Sequence, residues 1–261
     1  MLYLAIHARR QILVWSVRTA TVERNHVANL YEFTNLFVTM NGDIFYENGN
    51  ESGRIEKWTM NSSSSVFVTK FSGNCYSLFI DMRDTLYCSL HNQHKIVWIS
   101  IDENNITNTS QVGTGSFGND RNQLAGPWGI FVDTNFDLYV ADSKNNRIQC
   151  FQQGELNGTT KAGNGIPTGL ILNFPTDVVL DADGFLYIAD NKHYRIIRSG
   201  PDHFQCVAGC TNKSGSLLNE LYKPYAIRFD SHGNLYVADE YNNRTQKFSL
   251  SQNSCGKFYS I

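Results

Sequence analysis

Three stretches of the chain repeat one pattern of apolar and polar positions without a gap. They are Pro127–Phe151 (PWGIFVDTNFDLYVADSKNNRIQCF), Pro175–Ser199 (PTDVVLDADGFLYIADNKHYRIIRS) and Pro224–Phe248 (PYAIRFDSHGNLYVADEYNNRTQKF). Each opens with an apolar run ending in Asp, crosses a four-residue polar turn and runs Leu-Tyr-(Val/Ile)-Ala-Asp; after a polar loop it resumes with Arg and a further apolar run. Short runs rich in Val, Ile, Tyr and Phe, bounded by Asp, Asn and Gly, predict β-strands. No segment shows the 3.6-residue apolar period of a helix.

Weaker copies precede these three. Cys75–Ile99 keeps Asp81, Leu86, Tyr87 and the closing apolar strand, and Phe33–Trp58 keeps Gly42, Ile44, Phe45, Arg54 and Ile55. Leu2-Tyr3-Leu4-Ala5 aligns with Leu138-Tyr139-Val140-Ala141, so the apolar start reads as the second strand of a copy rather than as a leader or a membrane anchor. The second-strand column is Leu2, Ile44, Leu86, Leu138, Leu186 and Leu235, at spacings of 42, 42, 52, 48 and 49 residues. That period, with short strands throughout, predicts about four strands per repeat and a propeller of blades. The copies run approximately 1–32, 33–74, 75–126, 127–174, 175–223 and 224–261 within a single domain. The first copy lacks its inner strand, which predicts either that the natural chain extends upstream of Met1 or that residues 257–261 close the ring.

The repeat resembles the NHL repeat over nearly the whole chain, on the Asp, Leu-Tyr-(Val/Ile)-Ala-Asp and Arg positions quoted above. The resemblance implies an all-β, six-bladed β-propeller with its first blade incomplete at the N-terminus. It leaves function open, because similar propellers serve as protein-binding platforms, RNA-binding modules and a few enzymes.

The recurring residues are expected to be structural. The first-strand Asp column (Asp81, Asp133, Asp181, Asp230) stands where a hairpin turn begins and can accept turn N–H groups, with Gly184 and Gly233 free to take positive φ. The second column (Asp142, Asp190, Asp239) is expected to bond Arg147, Arg195 and Arg244, tying strands two and three together. Asp181-Ala182-Asp183-Gly184 begins like a calcium loop but has no Glu at the twelfth place, so it reads as a turn. Gly113-Thr114-Gly115-Ser116-Phe117-Gly118 fits the dinucleotide pattern, yet a strand and not a helix follows, so it reads as a connection between blades.

Chemistry is sparse. Six of the seven histidines (His7, His91, His94, His193, His203, His232) fall in different repeat columns and form no metal-ligand spacing. Resemblance to a peptide-amidating lyase implies axial zinc, for which His91, His94 and His193 are the candidates. Resemblance to lactonase-like propellers implies an axial divalent ion such as calcium, for which only Asn35 and Asp177 of their column are suitable, the others being Ser77, Gly129 and Ala226. No metal is expected from the residues themselves. First strands line a propeller's channel, so residues at their start crowd around its mouth. Tyr76, Trp128 and Tyr225, with Thr34 and Thr176, are the candidate binding rim, alongside Asn35 and Asp177; rigid aromatics with a polar tip suit recognition.

Charge and cysteines complete the picture. The net charge of −2 offers no overall field for nucleic acid, and Arg9, Arg10, Lys144, Arg147 and Lys192 are the only candidates for a basic face. Of six cysteines, Cys206 and Cys210 are expected to pair. Cys75 and Cys88 are the weaker expectation, because straight antiparallel pairing leaves them about 10 Å apart, beyond the roughly 7 Å a disulfide spans. Cys255 is open and Cys150 reads as free. Seven N-x-S/T acceptors stand at Asn50, Asn61, Asn105, Asn108, Asn157, Asn212 and Asn243. With the cysteines they point to an extracellular or cell-surface protein. The expected function is a non-catalytic scaffold for a protein or peptide ligand. A metal-dependent enzyme and an RNA-binding propeller stand as alternatives.

Overall fold

A computed structural model describes residues 1–6, 9–16, 19, 21–28, 30, 36–49, 51–101, 109–166, 169–201, 203–250 and 258–260. The strands form six antiparallel sheets, the blades of an all-β six-bladed propeller. The first holds β1 (Leu2–Ile6), β2 (Gln11–Ser16) and β3 (Thr21–Val27). The second holds β4 (Leu36–Val38), β5 (Ile44–Glu47), β6 (Arg54–Trp58) and β7 (Val66–Lys70). The third holds β8 (Leu78–Ile80), β9 (Thr85–Leu90), β10 (Lys95–Ser100) and β11 (Ser110–Val112). The fourth and fifth are β12 (Pro127–Val132), β13 (Leu138–Asp142), β14 (Arg147–Phe151), β15 (Thr159–Gly163), then β16 (Pro175–Leu180), β17 (Leu186–Asp190), β18 (Arg195–Ser199), β19 (Phe204–Ala208). The sixth is β20 (Pro224–Phe229), β21 (Leu235–Asp239), β22 (Arg244–Leu250) and β23 (Phe258–Ser260). Residues 258–260 thus pair with β22 as the outer strand of the last blade.

By its contacts the chain falls into two units, Met1–Gln111 and Val112–Ile261. In the second unit, the second strand of the fifth blade, β17, is buried along its whole length. The fifth blade has a neighbour on each face, so β17 reads as a continuous apolar run instead of alternating. One core lies between the fourth and fifth blades, around Ile148, Leu172, Val178 and Ile188; another, around Ile196, Leu221, Ile227 and Val237, joins the fifth to the sixth. In the first unit, Ile12, Val14, Ile44 and Trp58 join blades one and two, and Ile55, Leu78, Leu86 and Val97 join two and three.

Each turn aspartate works alike. Oδ1 of Asp133 accepts from Asn135 and Asp137 N–H at 2.9 Å, and Asp81, Asp181 and Asp230 repeat the pattern two and four residues on. The third turn residue has positive φ whatever its type: Asp84 (55°), Phe136 (65°), Gly184 (80°) and Gly233 (76°). The loop of residues 113–118 joins β11 to β12 with no helix after it.

Two disulfides are present, Cys206–Cys210 and Cys75–Cys88, and Cys150 is free and buried. The second pair corrects the distance argument from the sequence. Cys88 does pair with Leu78. Before Leu78, however, Tyr76 N–H donates to Ser89 O (2.9 Å) and Ser89 N–H to Ser77 O (3.0 Å), so two residues face one. This bulge bends the strand start back and brings the Cα atoms of Cys75 and Cys88 to 5.2 Å. Cys255 lies outside the described residues.

Candidate functional site

Antiparallel pairing puts the start of each first strand and the end of each second strand at one edge of a blade: Pro127 pairs with Asp142, Pro175 with Asp190 and Pro224 with Asp239. After each second strand comes a single 3₁₀ turn, Ser143–Asn145, Asn191–His193 or Glu240–Asn242. Its backbone bonds the segment leading into the first strand, as from Lys192 N–H to Asn173 O and from Tyr241 N–H to Tyr222 O. Every residue just before a first strand or just after a second one therefore sits at this edge.

Beneath the edge, the structure spends its polar residues on braces. Asp142, Asp190 and Asp239 are fully buried, and each Oδ2 accepts from the guanidinium Nε five residues on, at 2.7, 2.9 and 2.7 Å for Arg147, Arg195 and Arg244. Their Oδ1 atoms take N–H groups of Ala125, Asn173 and Tyr222, which pins the approach to each first strand. The remaining Arg147 nitrogens donate to the carbonyls of Asn119, Asp120 and Gln123. Between blades, Ser143 Oγ donates to Pro175 O, while Thr176 Oγ1 and Asn191 Nδ2 donate to Pro224 O. His193 Nδ1 lies 2.8 Å from Asp190 Oδ2.

Asp177 is also a brace. It is 1% exposed; Oδ2 accepts from Ile227 N–H (2.9 Å) and Arg228 Nη1 (2.5 Å), and Oδ1 from Val178 N–H (3.0 Å). Burial pushes its carboxyl above the usual range, against the pull of Arg228. It packs on Gly129, where a Cβ would stand 2.6 Å from Thr176 O.

Two of the sequence-predicted rim residues meet. The Trp128 and Tyr225 rings stand edge to face at 5.6 Å, and Phe174 packs on the same indole at 5.5 Å. A second aromatic line runs from Tyr194 to Tyr222 (5.8 Å) and on to Tyr241 (5.1 Å), whose ring is half exposed. Two ammonium groups sit on this edge, Lys192 Nζ 4.6 Å from the centre of Phe174 and Lys223 Nζ 3.9 Å from that of Tyr241. Rings with polar tips and cations on their faces bind aromatic and acidic groups with little loss of side-chain freedom. Tyr76 lies in the other unit, buried and stacked on His91 at 4.6 Å. Asn35 and Thr34 lie outside the described residues.

Sequence reasoning missed Phe174, Tyr194, Tyr222, Lys223 and Tyr241. Each is within two residues of a first-strand proline, inside a 3₁₀ turn or, for Tyr194, directly after one, so position relative to the repeat is the signal that marks them. Among the described residues no three His, Cys, Asp or Glu side chains gather as a metal site. Of the glycosylation acceptors, Asn61, Asn157, Asn212 and Asn243 are exposed, while Asn50, Asn105 and Asn108 lie outside the described residues.

Residues 124–151 and 172–198 match the family model of the NHL repeat. The chain is a β-propeller carrying NHL repeats. No curated protein matches its sequence. Among solved structures it is similar to a Bacteroides thetaiotaomicron VPI-5482 protein of unknown function at 16% identity and TM-score 0.70, covering 93% of this chain and 67% of that one. It is similar to virginiamycin B lyase from Staphylococcus aureus at 15% and 0.64, covering 99% and 80%. It also resembles a chain of a nidogen/laminin complex at 16% and 0.64, covering 92% and 85%. At these identities the likeness is one of fold, shared by an enzyme and by a member of a protein complex.

Proposed function

We propose that this NHL propeller is a non-catalytic scaffold that takes a protein or peptide ligand on the edge formed by the first-strand starts of its last three blades. The convergence of Trp128, Phe174 and Tyr225, flanked by Tyr222, Tyr241 and two lysines, carries this reading. Interaction surfaces concentrate their binding free energy in such Tyr and Trp clusters. The acids of the repeat already hold arginines and backbone N–H groups, which supports a binding role over chemistry. A secreted or cell-surface setting is supported by two disulfides and four exposed acceptor asparagines.

The test is selection of peptides from a random displayed library on the immobilised protein, followed by calorimetry. Selected peptides are expected to lose at least about tenfold in affinity to Tyr225→Ala and to Tyr241→Ala, the size of a single hot-spot loss. Binders indifferent to both substitutions, or no binders at all, would overturn the reading.

A further inference from the structure

The first unit contains a cavity of about 400 Å³, within the range of small-molecule sites. One wall is Arg10, in the turn between β1 and β2, with Val27 and Ala28 at the end of β3; the other is Tyr46, Asn48, Glu56 and Ser65 of the second blade. Ala28 N–H donates to Arg10 O at 2.9 Å, which holds the turn against the cavity.

The floor is an ordered polar network. Glu56 Oε1 accepts from Asn48 Nδ2 (2.8 Å) and Arg54 Nε (3.0 Å), and Oε2 from Tyr46 OH (2.9 Å) and Ser65 Oγ (2.6 Å). Burial raises its carboxyl, but the bonds from Ser65, Arg54, Asn48 and Tyr46 prevail and hold it down at about 2. With four donors in place, the carboxylate has no room for a metal or a ligand cation, and Arg54 balances its charge. Ser65 Oγ commits its hydrogen to Glu56, so its oxygen can only accept from a ligand, whereas Tyr46 OH, 2.9 Å from Ser65 Oγ as well and 3.1 Å from His26 Nε2, is held within the network. Arg10 also lines the cavity, an exposed residue whose guanidinium forms no ion pair among the described residues. Behind the floor, His26 Nε2 lies 3.1 Å from Tyr46 OH and the His26 ring stacks on Trp58 at 4.4 Å.

We propose that this cavity binds a carboxylate carrying a hydrogen-bond donor beside it, the grouping of an N-acyl amino acid or of a peptide C-terminus, with the anion on Arg10 and the donor on the oxygen of Ser65. A guanidinium with no ion pair among the described residues and a hydroxyl oxygen that can only accept, both lining one small cavity, fit that pairing of charge and donor.

Titration with N-acetylglycine, N-acetylglycinamide and an N-acetylated hexapeptide with a free C-terminus, followed by the indole resonance of Trp58 and by calorimetry, tests it. Both acids are expected to bind and the amide not to. If only the small acid binds, the site takes free metabolite-sized carboxylates; if the hexapeptide binds as well or better, it takes chain ends. Arg10→Gln, a substitution on an exposed turn, is expected to weaken binding about tenfold or more, the worth of a charged hydrogen bond. Val27→Glu, on a side chain 76% exposed at the cavity wall, is expected to weaken it by repulsion. Trp128→Ala should change nothing. Equal binding of acid and amide, no binding of either acid, or indifference to Arg10→Gln and Val27→Glu would each overturn the proposal.

Discussion

Asp142 Oδ2 meets Arg147 Nε at 2.7 Å with both side chains sealed from solvent, 0% and 8% exposed. The guanidinium then reaches three carbonyls of the connection between the third and fourth blades. The pair therefore fastens strands two and three of a blade and the loop leading into it in one network. Removing one member of such a pair strands a buried charge, whereas an exposed pair costs little. Asp142→Ala is expected to destabilise the protein by about 3–5 kcal/mol. Asp239→Ala should cost less, because Arg244 is 26% exposed and can be rehydrated. Urea unfolding midpoints of the two variants check the order.

Gly129 and Gly184 separate steric closeness from backbone strain. A Cβ at Gly129 would press on Asp177 and the Thr176 carbonyl, so Gly129→Ala must push apart β12 and β16. A Cβ at Gly184 meets nothing within 4 Å, but φ is +80° there. Gly184→Ala is expected to cost about 1 kcal/mol, the left-handed penalty alone. Gly129→Ala should cost more, about 2–3 kcal/mol in the range of overpacking. Thermal unfolding of both variants gives the comparison, and equal losses would contradict it.

Much of this was legible in the sequence, for a physical reason. The repeat encodes turn chemistry and the strand period, so the four turn aspartates and all six blades could be placed before any coordinates. What escaped depends on residues that break the columns. The Cys75–Cys88 bridge needs a bulge at Tyr76 and Ser77 that strand spacing cannot announce. Tyr46 stands where other copies have Cys88, Val140, Ile188 and Val237, and Glu56 stands where the fourth and sixth copies have Gln149 and Gln246. A phenol and a carboxylate substituted into two neighbouring columns of one blade were the only sign of the polar cavity. The meeting of Trp128 with Tyr225 skips a blade, and linear alignment gives no measure of that distance.

The two disulfides differ in burial and in the loop each closes. Cys75 and Cys88 are both buried in the core joining blades two and three and are 13 residues apart; Cys206 and Cys210 are 4 apart and exposed. Chain entropy assigns about 3 kcal/mol to the longer loop and about 2 to the shorter. Mild reductant on the folded protein is expected to open Cys206–Cys210 first, leaving Cys75–Cys88 until unfolding. Mass mapping after alkylation at increasing reductant reads the order, and simultaneous opening would contradict it.

Glu47 gives a pH dependence of definite sign. It is 1% exposed, with Oε1 accepting from Gly53 N–H (2.7 Å) and Oε2 from Cys75 N–H (2.8 Å), and among the described residues no cation is bonded to it. Burial pushes its carboxyl up to about 7, against those two N–H groups. In the unfolded chain it titrates near the usual 4.5. Between these values the folded state holds the extra proton, so stability falls as pH rises from about 4.5 to about 7 and stays low above that. Asp142 and Asp177, also raised by burial, act in the same direction; Glu56, held low by its donors, and His26, lowered by burial, act in the opposite one. The wild-type curve alone therefore cannot isolate Glu47, but its difference from Glu47→Gln can, since the other groups cancel. That difference is expected to shift against the wild type by up to about 3 kcal/mol between pH 5 and pH 8. Denaturant unfolding of both proteins across this range measures it; parallel curves would show that Glu47 is ionised throughout and that its two N–H donors outweigh burial.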